Sequence, residues 1–492
     1  MSTANTNKYT VGETSSATST PRKRPKCVKR TISVARVEQM LEEDRKERRN
    51  APDKPLHFAR DSLFSSSSGY TNYRGFLNLA ILLLVLSNAR VALENIIKYG
   101  ILVDPFQWVQ MFVKNPYSWP SATLLLAMNI YIVVALMIEV FQSKGRLPDN
   151  IAFWLKVINM VSMILIPAIV ILRINPNPFG ACFACGFHTT VFFKLWSYHQ
   201  VNRWCREEQI KRKRITRRGS IDLSLYRSGE SDSDTTKSEK LVYYPENLTL
   251  KDLYYFILAP TLCYELNFPR SRRIRKGFLL RRIVEMVFLS NLVLMLTQQW
   301  LLPTINNSMQ PINSMNFGRM TERLLKLSVP NHVIWLICFY CIFHSSMNVS
   351  AELLRFSDRQ FYLDWWNAPT VSDFWNRWNM PVHKWALRHV YRPMLRSGLT
   401  KLQAAVAVFL LSAFFHEYLV SVPLNMFRVW AFMGMMLQIP YAVMVAKIAN
   451  VDWRLGNMAV WLSLIIGQPI AILMYVHDYY ILQFRDKQDA SV

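Results

Sequence analysis

Leu402 to Pro423 reads L-Q-A-A-V-A-V-F-L-L-S-A-F-F-H-E-Y-L-V-S-V-P. The stretch is apolar and close to the ~20 residues that cross a hydrocarbon core, yet it carries His416 and Glu417 side by side. Ionisable groups at membrane depth are costly and are usually kept for a task. Two readings stay open for His416: an imidazole satisfied by a neighbouring helix, or a group lining a cavity. Glu417 beside it, and Ser412 one helical turn earlier, favour the cavity.

The rest of the chain agrees with a membrane body. Of its 492 residues 51% are hydrophobic and 18% charged, where a soluble chain carries about a quarter charged. Apolar windows lie at 76–97, 120–142, 151–173, 178–199, 283–302, 330–353, 402–423, 428–449 and 457–482. The expected fold is therefore an all-α polytopic membrane protein of nine transmembrane helices around an intramembrane reaction chamber, with a cytosolic amphipathic helix.

The net charge of +25 lies outside these windows, which points to anionic lipid or an anionic substrate and away from nucleic acid. The basic connections (the N-terminal tail, Lys144 with Arg146, 200–282 and 355–401) all fall on one side of a nine-span chain. That side is cytoplasmic by the positive-inside rule, so the N-terminus is expected in the cytosol and the C-terminus in the lumen. Residues 1–55 read as a disordered basic tail, 56–484 as the membrane domain, 201–240 as a flexible linker within it and 485–492 as a short tail. The first apolar window follows roughly seventy polar residues and reads as an uncleaved signal. Asn306-Asn307-Ser308 is a sequon on the lumenal side, and Asn247-Leu248-Thr249 a cytosolic one expected to stay unmodified.

The seven cysteines include two C-x-x-C pairs, Cys182 with Cys185 and Cys338 with Cys341, inside apolar windows. Such thiols behave as small hydrophobes, and no second ligand pair accompanies them for a metal. Neither a phosphate-binding glycine loop nor a G-x-S-x-G elbow occurs. No cofactor and no metal is expected.

The loop 355–401 is rich in rings. Phe361-Tyr362-Leu363-Asp364-Trp365-Trp366-Asn367 precedes Phe374, Trp375, Trp378 and Trp385. Val371, Phe374, Trp375 and Trp378 recur at helical spacing, with Thr370 and Asp373 placed to cap the start. An interfacial helix accounts for the rings. It leaves Asp364 unexplained, and also Asn379 and His383, which share a face. Met435 and Gln438 precede Pro440 in the eighth window, and Asn457, Gln468 and Tyr475 form a stripe on the ninth. These polar groups are the candidates to meet His416. A lone imidazole in a dry cavity suits general-base work, taking a proton from a hydroxyl that attacks an activated acyl group. The rival reading from another class is a lipid transporter, but no internal repeat is evident.

F-Y-x-D-W-W-N at Phe361–Asn367, W-N-x-P-V-H-K-W at Trp378–Trp385 and S-A-F-F-H-E-Y-L-V-S-V-P at Ser412–Pro423 resemble the membrane-bound O-acyltransferase superfamily. R-D-S-L-F-S-S-S-S-G (Arg60–Gly69), Y-E-L-N-F-P-R (Tyr264–Arg270) and W-L-S-L-I-I-G-Q-P (Trp461–Pro469) extend the likeness over most of the chain. The first of these six motifs is shared with sterol acyltransferases; the second and third together resemble the diacylglycerol branch. Asn376 departs from the pattern, which carries glutamine there.

The resemblance implies an endoplasmic reticulum enzyme making triacylglycerol from diacylglycerol and acyl-CoA, the latter a co-substrate. It implies a homodimer, or a tetramer, embedded in membrane lipid; sterol, retinol or a fatty alcohol is the alternative acceptor. His416 matches the catalytic histidine, Asn379 a nearby asparagine and Gln468 a glutamine close to the imidazole, with Gln468 or Glu417 expected to fix its tautomer. The expected substrate contacts are Phe361, Tyr362, Asp364, Trp365, Trp366, Asn367, Trp378, His383, Ser412, Met435 and Gln438, with Lys384, Tyr391 and Lys401 toward the CoA head.

Overall fold

The computed structural model describes residues 120–218, 241–313 and 317–489, together with 61–63, 74–76, 78–80 and single positions between 70 and 104. The described residues are mostly helical and contain no strand; Arg270 and Phe356 form an isolated bridge.

Six helical stretches are long and apolar enough to span a bilayer. They are α1 (Pro120–Ser143), α2 (Asp149–Ile174), a stretch running from α7 (Phe317–Phe339) through the π-turn Tyr340–Ser346 into α8 (Met347–Leu353), α12 (Lys401–Leu424), α13 (Trp430–Val451) and the first part of α14 (Trp453–Asp489). Between them lie α3 (Pro178–Arg218), α4 (Leu250–Leu258), α5 (Lys276–Leu296), α6 (Leu302–Asn313), α9 (Val371–Trp378), α10 (Met380–Ala386) and α11 (Arg392–Arg396).

The expected nine spans meet this set at six windows. The window 76–97 falls largely outside the described residues. The other two lie in helices too polar to qualify. α3 carries His188, Thr189, Lys194, Ser197 and His199, all buried against protein. α5 opens with Lys276, Arg281, Arg282 and Glu285. In the spans, polarity is turned inward. α1 exposes Leu126, Ile130 and Met137 while Glu139 is fully buried, its carboxylate paired with Lys156, His199 and Arg206. Apolar outside and polar inside is the arrangement a bilayer demands.

Two local expectations need correction. Residues 201–218, read as linker, instead extend α3. Arg203 pairs with Glu207 one turn on at 2.8 Å, and Trp204 stacks on His389 with its ring centroid 5.7 Å away. The interfacial helix expected at 371–378 forms as α9, and Thr370 caps it by accepting from the Asp373 amide. However, Val371 and Phe374 are buried in the principal core and the Phe374 ring stacks on Trp378, so its apolar face meets protein. The sequon at Asn247 is occupied by structure: Asn247 is buried and donates to Asn202 and to Tyr264, while Thr249 caps α4.

α12 is central to the second half. It begins with a capping box of Thr400 and Gln403 and ends at Asn425 in the left-handed conformation. It packs against α2, α3, α13 and the π-turn Leu387–Tyr391. α14 packs along both α7 and α13.

Candidate active site

His416 lies on α12 with Nδ1 2.7 Å from the backbone oxygen of Ser412. A carbonyl only accepts, so Nδ1 carries the proton and Nε2 is left with the lone pair. The Ser412 hydroxyl is farther, at 3.3 Å. The expected role of Glu417 or Gln468 as tautomer-fixing partner is thus filled by a main-chain atom one helical turn away. The ring keeps an exposed surface.

Glu417 points the other way. Its Oε1 accepts from the Val429 amide at 3.0 Å, and Oε2 accepts from the Phe432 amide at 3.0 Å and from the Tyr475 hydroxyl at 2.9 Å; Ser421 donates to it as well. The Tyr475 hydroxyl in turn accepts from the Ala431 amide at 2.9 Å. A carboxylate at the start of α13 satisfies orphan amides and meets the positive end of the helix dipole. Val429 enters this clamp with a positive φ of 54°, an unusual state for a β-branched residue.

Asn379 sits in the break between α9 and α10. Its Oδ1 accepts from the Val382 amide at 3.2 Å, capping α10 and leaving the Nδ2 end to donate elsewhere. Trp375, one turn earlier, lies edge-on to Phe409, with centroids 6.4 Å apart. Phe409 and His416 are seven residues apart on α12, close to two turns, and share a face. This contact joins α9 to the face of α12 that carries His416.

His383, on the first turn of α10, is half-buried; burial pushes its pKa below the ordinary imidazole value, and neighbouring Lys384 pushes the same way. Lys384 pairs with buried Asp358 at 2.8 Å. Tyr391 closes the π-turn after α10 half-buried, and Lys401 stands exposed at the start of α12. On α13, Met435 is buried and Gln438 half-buried.

Several expected substrate contacts lie in packed surroundings. Phe361, Tyr362, Trp365 and Trp366 are at most 2% exposed and belong to the principal core. Phe361 also lines a small cavity with Thr261 and Lys384. Asp364 accepts from the Tyr70 hydroxyl at 2.9 Å, and Asn367 donates to the Asn72 carbonyl at 2.7 Å. The half-buried Trp378 stacks on Trp335.

The polar stripe on α14 is spent on clamps between elements. Asn457 donates to the carbonyls of Trp366 and Ala368, Gln468 accepts from Asn331, and Tyr475 donates to Glu417. Asn376 is exposed. Missed in the sequence were the Ser412 carbonyl, which no side-chain pattern announces, and Asp358, whose pairing with Lys384 spans a loop.

Residues 187–477 match the model of MBOAT, the membrane-bound O-acyltransferase family. Over 430 residues the chain is 54% identical to diacylglycerol O-acyltransferase 1 of Homo sapiens, spanning 87% of this chain and 85% of that protein. The enzyme of the same name from Bos taurus is 53% identical over 431 residues, spanning 87% of this chain and 86% of the relative. Diacylglycerol O-acyltransferase 1B of Glycine max is 37% identical over 433 residues, spanning 87% and 80%.

Proposed function

The chain belongs to the membrane-bound O-acyltransferase family, and from that premise we propose that it transfers the acyl group of acyl-CoA to the free hydroxyl of diacylglycerol, making triacylglycerol. The observation that carries the mechanism is the His416 ring in a membrane helix, with Nδ1 held by Ser412 and its surface open.

In the proposed reaction Nε2 takes the proton of the diacylglycerol hydroxyl as that oxygen attacks the thioester carbonyl. The Nδ2 of Asn379 donates to the developing oxyanion, a contribution worth about 3 kcal/mol in comparable sites. Collapse forms the ester and releases the CoA thiolate, which recovers the proton from the imidazolium. Atoms balance with no acyl-enzyme, and neither cofactor nor metal takes part. The CoA head lies toward Lys384, Tyr391 and Lys401, and the acyl chain runs into the bilayer. Exclusion of water from the chamber directs transfer to lipid rather than to hydrolysis.

The same proposal sets the protein in the endoplasmic reticulum membrane as a homodimer. It has nine spans, α9 near the cytosolic interface, its N-terminus in the cytosol and its C-terminus in the lumen.

The test is incorporation of radiolabelled oleoyl-CoA into lipid classes by detergent-purified protein, offered diacylglycerol, cholesterol, retinol or a fatty alcohol. Label in triacylglycerol, lost in His416→Ala while the protein remains monodisperse, is the expected result. Label in sterol or wax ester redirects the acceptor, and substantial turnover by His416→Ala overturns the base.

A further inference from the structure

Asn379 is the N-cap of α10, tied to that helix by its carbonyl, which accepts from the His383 amide at 2.9 Å, and by its side chain. Its φ of −138° and ψ of 86° break the chain between α9 and α10. Yet an amide that meets an oxyanion must be held to a fraction of an ångström, because a 1 Å misplacement costs on the order of a hundredfold in rate. Something has to fix this turn, and the buried motif does so.

The backbone of 361–363 runs beside the break and bonds on both sides of it. The Leu363 amide donates to the Arg377 carbonyl at 2.7 Å, and the Met380 amide donates to the Phe361 carbonyl at 2.9 Å. Asp364 adds an ion pair to Arg377 at 3.5 Å. The motif itself is anchored from behind. Asp364 and Asn367 hold Tyr70 and Asn72, and the Gly75 amide donates to Asn367. Asn457, with no exposed surface, holds the Trp366 and Ala368 carbonyls while accepting from Asn78 at 2.8 Å. The Trp461 indole donates to the same Trp366 carbonyl at 3.2 Å.

We propose that F-Y-x-D-W-W-N is a positioning frame for Asn379 and not a substrate contact: it pins both flanks of the α9–α10 break to the first described segment and to α14. The proposal rests on the assignment of Asn379 to the oxyanion. Asp364, Asn367 and Asn457 are positioning residues in this scheme, acting on the reaction only through the Asn379 turn.

The experiment is a double-mutant cycle read in kcat, combined with direct binding of a non-hydrolysable thioether analogue of oleoyl-CoA. Asp364→Ala and Asn367→Ala should each lower kcat by about tenfold to a hundredfold, with analogue Kd within about threefold of wild type. In an Asn379→Ala background, Asp364→Ala should cost no more than about twofold further, because a frame has nothing left to position. Arg377→Lys, which keeps a cation for Asp364, should keep most of the wild-type turnover. If Asp364→Ala does not yield monodisperse protein, Asp364→Asn completes the same cycle.

Losses that multiply in the double variant, or an analogue Kd that rises while kcat holds, overturn the frame and leave the Asn379 assignment intact. Near-wild-type turnover by Asn379→Ala alone overturns the oxyanion assignment and the frame with it.

Discussion

The Tyr475 hydroxyl donates to the Glu417 carboxylate at 2.9 Å, which joins α14 to the helix that carries His416. Through the same carboxylate the amides of Val429 and Phe432 tie α13 to both. The residue beside the proposed base is thus the junction of three spans, and its proximity in sequence to His416 says little about proton transfer.

This separates two consequences of changing Glu417. Glu417→Ala leaves the Val429 and Phe432 amides and the Tyr475 hydroxyl without their shared acceptor, at a cost of about 3 kcal/mol. The melting temperature in detergent should fall sharply. The pH profile of the turnover that remains should keep the wild-type position of its acid limb, because the carboxylate does not touch the imidazole. A shifted limb with an unchanged melting temperature would return Glu417 to the chemistry.

Ser412 offers a contrasting test. It is the Ser412 carbonyl, at 2.7 Å, that holds the imidazole; the hydroxyl is a longer contact at 3.3 Å. Ser412→Ala keeps the carbonyl and should leave kcat within about threefold of wild type, whereas His416→Ala removes a general base worth about a hundredfold or more. A loss in Ser412→Ala approaching that of His416→Ala would mean that the hydroxyl, not the main chain, orients the ring.

The spans were legible because a bilayer imposes length and apolarity on each segment separately. α1, α2, α12 and α13 meet their windows nearly end to end for that reason. The role of a polar residue inside a span was less legible, since cavity lining and interhelical clamping use the same side chains. Asn457 and Tyr475 illustrate this: spacing placed them on one face, but the partners that occupy them, Trp366 and Glu417, come from distant parts of the chain. The rings of 361–366 are ambiguous for a related reason. Aromatic residues flanking a polar one describe a packed core as well as they describe a binding wall, and only burial separates the two.

Asp252 supplies a pH-dependent prediction away from the reaction. Burial pushes its carboxyl up to about 6, against the opposing pull of the Tyr264 hydroxyl and of Arg270. A folded-state pKa above the unfolded value of about 3.9 means that the native state binds the proton more tightly. The stability Asp252 contributes is therefore fully present below about pH 4 and is lost as the pH rises through about 6. Asn keeps an acceptor for Tyr264 without the charge. The melting temperature of Asp252→Asn minus that of wild type should grow between about pH 4 and 6 and level off above. A flat difference across that range would show that the carboxyl is not perturbed.

The packing around the motif can be probed without touching a polar group. A Cβ at Gly456 would stand 2.3 Å from the Pro369 carbonyl oxygen and 2.6 Å from Ala449 Cβ, while one at Gly186 meets nothing within 4 Å. Both glycines are helical, so intrinsic propensity favours alanine at each by ~1 kcal/mol. At Gly186 that gain stands alone, and Gly186→Ala should be neutral or stabilising. At Gly456 the start of α14 must move away from the segment that Asn457 holds, and overpacking of this kind costs about 1–3 kcal/mol. Gly456→Ala should therefore melt earlier than wild type, and its kcat should fall further than its affinity for acyl-CoA, because the displaced segment runs directly into α9 and the Asn379 turn. Equal melting temperatures for the two variants would mean that α14 does not press on Pro369.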